Sequence, residues 1–194
     1  GALTTNRVRS IKQDAQGNMY LAAGFTGKVS IGGKVFGSDP IFESSNWDVL
    51  LAKFDPTCKL LWAKQLETDA MITTLERFAV GPDGSIGLLA WDKSYDFFFN
   101  EVIHYHLYVL DGNGNPKWVA DANYGVPSYQ ALNFGPNGQL AVPGIANADN
   151  QQITVLNPDG VRHYGVAVSA FSVGVAFDDA SNLLIAGLGE WNSG

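Results

Sequence analysis

Four times along this chain a polar turn leads directly into an apolar run. The copies read "DAQGNMYLAAG" from Asp14, "GPDGSIGLLA" from Gly81, "GPNGQLAVPG" from Gly135 and "DDASNLLIAG" from Asp178. The turn glycines are Gly17, Gly84 and Gly138, spaced 67 and 54 residues apart, and Ser181 takes the place in the fourth copy after a further 43. A short strand candidate precedes each turn: "RSIKQ", "RFAV", "ALNF" and "GVAF". A unit repeated at this period stacks against its neighbours, because one copy cannot bury its own apolar face.

A second element alternates with the first. "LAKFDPTCKLLW" from Leu51, "LYVLDGNGNPKW" from Leu107 and "ITVLNPDGVRHY" from Ile153 align over 12 positions without a gap. Each has an apolar strand, an Asp or Asn, a turn, and a closing aromatic, which is Trp62, Trp118 or Tyr164. Cys58 falls where Gly114 and Gly160 stand, which makes it a turn residue rather than a catalytic thiol. Both elements are β-hairpins by the usual signal of apolar strands around a Gly/Asn/Asp turn. Two hairpins make a four-stranded unit of propeller-blade length, and no segment keeps a helical period. The sequence therefore predicts an all-β fold, a β-propeller segment over 1–194. Its units cover about 9–66, 72–122 and 127–168, with a partial fourth over 171–194, or some three and a half blades.

One copy of the turn imitates a metal site. In "LDGNGNPKW" the residues Asp111, Asn113 and Asn115 alternate with glycines, as in the first half of a calcium loop. The sibling turns "FDPTCKLLW" and "LNPDGVRHY" lack that alternation in the same register, and the twelfth position holds Ala122 where a glutamate is expected. The stretch reads as a turn that marks blade register.

Residues 9–66 resemble the seven-bladed β-propeller repeat family called SBBP, found in bacterial surface and secreted proteins. The resemblance is carried by "DAQGNMYLAAGFTGKVSIGGKVF" and "NWDVLLAKFDPTCKLLWAKQL", with Asp14, Gly17, Asn18, Gly24, Gly32, Gly33, Trp47, Asp48, Asp55 and Trp62 matching the pattern. Cys58 departs from its glycine, and the second and third units lack the Gly-Gly and Trp-Asp segment. The resemblance implies a propeller fold and an extracellular, cell-surface or periplasmic location. It implies no reaction.

Composition narrows the partners. The net charge of −7, with no basic cluster, disfavours nucleic acid and anionic membranes. One cysteine excludes an intrachain disulfide framework and a multi-thiolate zinc site. No apolar run reaches transmembrane length. The chain opens "GALTTN" and stops within a unit at "GEWNSG", so the missing blades are expected from the same longer chain or from a second copy.

Naming the strands of a blade A to D from the inside outwards, the A–B and C–D turns share one face and the B–C connections lie on the other. Those connections vary: residues 25–46, 91–101, 145–151 and the segment beginning "GLGEWNSG". Variable loops on a uniform scaffold are where binding residues concentrate. The second connection groups Trp91, Asp92, Tyr95, Asp96 and Phe98, and the fourth adds Trp191. Aromatics beside carboxylates suit sugar or peptide side chains, with inter-blade packing as the structural alternative. Trp47, Trp62 and Trp118 read as structural. His104 and His106 lie on one side of a strand and could share a metal with Glu101 or Asp96, but a single H-x-H is a weak signal and the bland reading is an inter-blade pair. His163 reads as having no role. No nucleophile elbow, phosphate loop or zinc-protease motif occurs. Of the inner-strand residues only Arg9, Lys12, Arg77 and Asn133 could line a channel, and they make no acid–base set.

The expected function is a non-catalytic extracytoplasmic module that binds a protein or carbohydrate partner, adheres or assembles through the B–C face, without a cofactor. The alternative is a propeller hydrolase or lyase whose site crosses the axis and lies partly outside this chain.

Overall fold

Seven polar turns close seven β-hairpins among the described residues. These residues are 6–37, 47–66, 73–95, 97–98, 100–121, 132–147, 150–168 and 171–188 of a computed structural model. In every turn the first residue's N–H donates to the carbonyl four residues on, and the fourth residue's N–H donates back to the first carbonyl, at 2.7 to 3.1 Å. This is a type I turn ending in a left-handed residue, the usual three-residue hairpin loop. The left-handed positions are Gly17, Cys58, Gly84, Gly114, Gly138, Gly160 and Ser181, with φ from 65° to 85°. Cys58 and Ser181, the two places where the repeat departs from glycine, are the non-glycine residues of positive φ among the described residues.

Aspartate fixes four of these turns. One oxygen each of Asp14, Asp55, Asp111 and Asp178 accepts the backbone N–H groups two and four residues on, at 2.8 to 3.0 Å. In three of them an asparagine, Asn18, Asn115 or Asn182, donates its amide to the other oxygen. Asp111 thus spends its oxygens on Asn113 and Asn115, the residues that give "LDGNGNPKW" its calcium-loop look. The hydrogen bonds from Asn115 hold its carboxyl below the ordinary range, against a small opposing effect of burial.

The hairpins assemble in pairs. The first sheet orders β1 (Asn6–Gln13), β2 (Met19–Phe25), β5 (Asp48–Phe54) and β6 (Leu60–Gln65), all antiparallel, with a small hairpin of β3 (Val29–Ile31) and β4 (Lys34–Phe36) inserted between β2 and β5. The second orders β7 (Thr73–Val80), β8 (Ile86–Tyr95), β9 (Glu101–Leu110) and β10 (Pro116–Asp121). The third orders β11 (Asn133–Phe134), β12 (Leu140–Asn147), β13 (Asn150–Leu156) and β14 (Arg162–Val168), and β15 (Phe171–Phe177) pairs with β16 (Leu183–Leu188). The innermost strands β1, β7, β11 and β15 lie successively beside one another. The protein is an all-β partial propeller of three four-stranded blades and an A–B hairpin. The first sheet begins at Asn6, earlier than the Arg9 expected, and Leu183 to Leu188 forms the fourth hairpin's second strand.

Blades are held by apolar clusters at their mutual faces. Tyr20, Ala22, Val49 and Leu51 of blade 1 meet Phe78, Ile86, Leu88 and Leu110 of blade 2. On the other side of blade 2, Leu89, Leu107 and Val109 meet Leu132, Phe134, Leu140 and Val142 of blade 3. One set of positions is filled differently at each interface. At the first interface Asp14 accepts the Tyr20 hydroxyl at 3.1 Å, and Lys53 reaches Asp14 at 3.8 Å and the Gly112 carbonyl at 3.3 Å. Burial and the neighbouring Asp14 carboxylate push the Tyr20 hydroxyl far above its ordinary pKa. In blade 2 those positions are Gly81, Gly87 and Val109. Phe134 from the next inner strand fills the space, its ring lying 3.1 to 3.2 Å from where a Cβ on either glycine would stand. Phe177 does the same against Gly135, at 3.0 Å.

The closing aromatic of each outer strand is an inter-blade latch. Trp62 donates its indole N–H to the Gly112 carbonyl at 3.3 Å, and Trp118 to the Pro158 carbonyl at 2.9 Å. Gly112 and Pro158 are the second residues of the next blade's C–D turn. The fourth residues, Gly114 and Gly160, lie under the indole, where a Cβ would come within 3.1 and 2.9 Å of the ring. Trp47 has no such counterpart: it precedes β5, stacks over Gly24, and its carbonyl accepts the Thr73 N–H at 2.8 Å.

The first B–C connection folds back on its own blade. Gly32 and Gly33, at φ 57° and 78°, form the tight turn of β3–β4 that two consecutive left-handed residues allow. The hairpin's base is tied where Gly37 N–H donates to Gln65 Oε1 at 2.9 Å, and its tip meets Leu60. It therefore runs along β6, over the side of blade 1 turned away from blade 2. Leu50, Ala52 and Ala63 are buried there, while Val8 and Ile11, nearer the axis, are each 60% exposed.

Candidate functional site

The second B–C connection is shorter than its composition suggests. Residues 91–95 and Glu101 are strand, not loop, and β8 and β9 pair out to Tyr95 and Glu101. Alternation in "WDKSY" and "EVIHYHLYVL" favours continued pairing over a loop. With 10 residues each, β8 and β9 form the longest hairpin of the described residues, and it projects beyond blade 2 on the face opposite the turns.

The tip carries two adjacent phenylalanines. Phe97 is 92% exposed and Phe98 77%. Their rings pack edge to face, with centroids 5.6 Å apart and planes at 87°. Ile103, on the arm of the hairpin, is also exposed. At its base Lys93 and Glu101 form an ion pair.

Below the tip the two sides of the hairpin carry different chemistry, because successive strand residues face opposite ways. On the side turned to blade 3, Trp91 pairs with Tyr105 and donates its indole N–H to Glu76 at 2.8 Å. Glu76 is the residue at which the β7 register slips, a bulge that aims its carboxylate at Trp91 and at Arg77, 3.3 Å away. Burial, and then the Glu76 charge, raise the Tyr105 pKa. On the side turned to blade 1, His106 Nε2 faces Asp92 at 3.0 Å and Nδ1 faces Asp121 at 3.1 Å. The ring can donate to both carboxylates only as the imidazolium. His104 stacks beside it, with ring centroids 6.4 Å apart.

The sequence-expected site residues thus do not converge. Trp91 and Asp92 point to opposite sides, and each is engaged by a neighbouring strand. Phe98 stands at the tip. Tyr95 ends β8, with its side chain outside the described residues, and Asp96 and Trp191 lie outside them altogether. Both ring nitrogens of His106 face carboxylates, and among the described residues no group of three metal-ligating side chains forms a metal site. Phe97, one of three consecutive phenylalanines that the sequence places in this connection with nothing to tell them apart, stands at the tip beside Phe98.

The other positions named from sequence have structural places. Asn133 donates to the Val175 carbonyl at 3.1 Å, joining two inner strands, and Arg77 is held by Glu76. His163 is exposed on β14, at a bulge beside the C–D turn. On the turn face a cleft of about 290 Å³ opens between blades 2 and 3, lined by Pro82, Asp83, Ser85, Lys117, Asn137 and Pro158. Ser85 already occupies both oxygens of Asp83. No helix of the described residues is long and apolar enough to cross a membrane.

No family model matches the chain, and no curated protein sequence does. Solved structures similar to it include a Bacteroides caccae protein of unknown function, at 15% identity over 74% of this chain and 62% of that one, with a TM-score of 0.34. TolB from Acinetobacter baumannii is similar at 12% identity over 83% of this chain and 43% of its own, with a TM-score of 0.40. A eukaryotic initiation factor is similar at 12% identity over 94% of this chain and 49% of its own, with a TM-score of 0.37. The chain spans 43% to 62% of the length of these structures. The propeller assignment stands on the strand order and the adjacency of the inner strands.

Proposed function

We propose that this chain is a non-catalytic, extracytoplasmic binding module that engages a partner protein through the B–C face, with the Phe97–Phe98 tip as its anchor. The observation that supports this reading is the exposure of two neighbouring phenylalanines, at 92% and 77%, on a hairpin that overshoots its blade. Leaving two such rings in water forgoes about 2 kcal/mol of burial for each, and buried aromatic anchors dominate binding energy at protein interfaces. The angle of 87° between the rings makes a wedge, not the flat platform on which a sugar stacks, and so favours an apolar pocket on a protein.

The test places a photo-crosslinking phenylalanine analogue at position 98 and exposes the folded protein to extracts of its native cell envelope, with a glycan array in parallel. Support consists of one protein species crosslinked from position 98 and displaced by unlabelled parent protein but not by a Phe97→Ser/Phe98→Ser variant. Array binding that needs both phenylalanines would move the assignment to a glycan. Crosslinks that the variant displaces as well as the parent would remove the tip from the function.

A further inference from the structure

The root of the overhanging β8–β9 hairpin carries a proton-dependent clasp. We propose that His106, when charged, ties Asp92 of β8 and Asp121 of β10 together across β9, and that gain and loss of this proton set how firmly the Phe97–Phe98 hairpin is held. The device does not depend on what the tip binds.

Three observations carry the inference. The first is where the clasp sits. Among the described residues β7 pairs with β8 no further than Thr73 with Asp92, and β10 pairs with β9 no further than Asp121 with His106. Beyond them the two arms pair only with each other. Asp92, His106 and Asp121 thus stand at the last places where the flanking strands still support the hairpin. A ladder frays from such a place, and a side-chain crosslink there resists the fraying.

The second is chemical. His106 Nε2 lies 3.0 Å from Asp92 and Nδ1 lies 3.1 Å from Asp121. A neutral imidazole has one N–H and one lone pair, so it can bond one of these carboxylates and must turn its lone pair to the other. Charged, it donates to both, and such charge-assisted bonds are the stronger kind. The clasp is therefore closed at low pH and opens as pH rises and the ring loses its proton. Of the other titratable groups, His104 and Tyr108 flank His106 along β9, with ring centroids 6.4 and 6.1 Å away. Lys93, Glu101, Tyr105 and Glu76 face the opposite side of the hairpin. On blade 1, Lys53 is bound to Asp14 and Gly112, and Lys64 to Asn115.

The third is that the clasp belongs to the overhanging blade. The residues in the same register are Phe25, Leu50 and Gln65 in blade 1, and Ala146, Gln152 and Ala167 in blade 3. Neither set can titrate. The repeat supplies no histidine and no carboxylate at these positions, so their presence in blade 2 is not a requirement of the fold.

The test is hydrogen exchange of the full chain at about pH 5.5 and about pH 8, a span across which histidine ordinarily changes charge and carboxylates do not. Rates are expressed as protection factors, which removes the intrinsic pH dependence of exchange. The amides of residues 93–95 and 101–103 should be about threefold to tenfold better protected at the lower pH, the effect of one net hydrogen bond. His106→Gln keeps a donor without a titratable proton and should show equal protection at both pH values. Asp121→Asn, a change at an exposed strand end that folding tolerates, should shrink the difference, and His104→Gln should leave it intact. Protection in the parent that is equal at the two pH values, or greater at the higher one, would overturn the proposal. So would a difference that survives both His106→Gln and Asp121→Asn, or one that His104→Gln abolishes.

Discussion

Trp118 and Gly160 are a matched pair: the indole covers a left-handed turn residue so closely that a Cβ there would stand 2.9 Å from the ring. Gly33 is left-handed too, at φ 78°, but an added Cβ would meet nothing within 4 Å. Comparing the two separates backbone strain from the latch. Gly33→Ala should cost about 1 kcal/mol, the strain of a left-handed residue alone. Gly160→Ala should cost about 2 kcal/mol or more, because it also displaces the ring. Urea unfolding of both variants checks this, and equal costs would show that the latch bears no load.

The Phe134 ring stands where Tyr20, Asp14 and Lys53 stand one interface earlier. Phe134→Ala should destabilise by about 3 kcal/mol or more, since it opens a cavity between two glycines that cannot fill it. Gly87→Ala should be unfavourable in the parent, with its Cβ 3.1 Å from the ring, and neutral or favourable once the ring is gone. A double-mutant cycle by thermal unfolding reads that change of sign.

Cys58 holds a conformation that six of its siblings give to glycine or, once, serine. Cys58→Gly should stabilise by no more than about 1 kcal/mol, since relief of left-handed strain is partly offset by the greater freedom of glycine in the unfolded chain. The same change at Ser181 should gain less, because Ser181 Oγ accepts from Asn137 Nδ2 at 2.8 Å. Paired melting curves of the two variants test the order.

Acid should weaken the protein. Asp14, Asp55, Asp83, Asp111 and Asp178 all have carboxyls held below their ordinary range. At Asp14 and Asp83 burial opposes the shift, and hydrogen bonds from Asn18 and Ser85 respectively outweigh it. A depressed folded pKa contributes stability above the unfolded value, and that stability is lost as pH falls through the folded one. Asp48, raised by burial against a hydrogen bond from Gln65, works the opposite way, but it is one group against five. The urea midpoint should therefore fall as pH drops from about 5 to 3, across the range where carboxylates protonate. Asp111→Asn should lessen the fall.

The tip is expected to be dispensable for folding. Phe97→Ser/Phe98→Ser should change stability by less than about 0.5 kcal/mol, as exposed substitutions do, with loss confined to partner binding. A large fall in melting temperature would place these rings in the scaffold.

Architecture was far more legible in the sequence than the site. Turn chemistry is local and recurs seven times, so the alignment places Cys58 and Ser181 at turn-glycine positions, and the structure gives both the positive φ of those glycines. Partner identity across blades is not local. That Trp62 bonds Gly112, 50 positions on, follows from how blades stack. The expected site grouped Trp91 with Asp92 as neighbours in a loop, but pairing of β8 with β9 made them strand residues and sent them to opposite sides. The β3–β4 hairpin is not visible in the sequence beyond its two glycines, since two strands of 3 residues give too short an alternation to register.

That hairpin gives the molecule a direction. On the side of blade 1 turned away from blade 2, Leu50, Ala52 and Ala63 are buried while Val8 and Ile11 are exposed, and the β3–β4 hairpin meets that side at Leu60, Phe25 and Gln65. Blade 1 is thus built differently from blades 2 and 3, with an inserted hairpin tied to its outermost strand through Gln65.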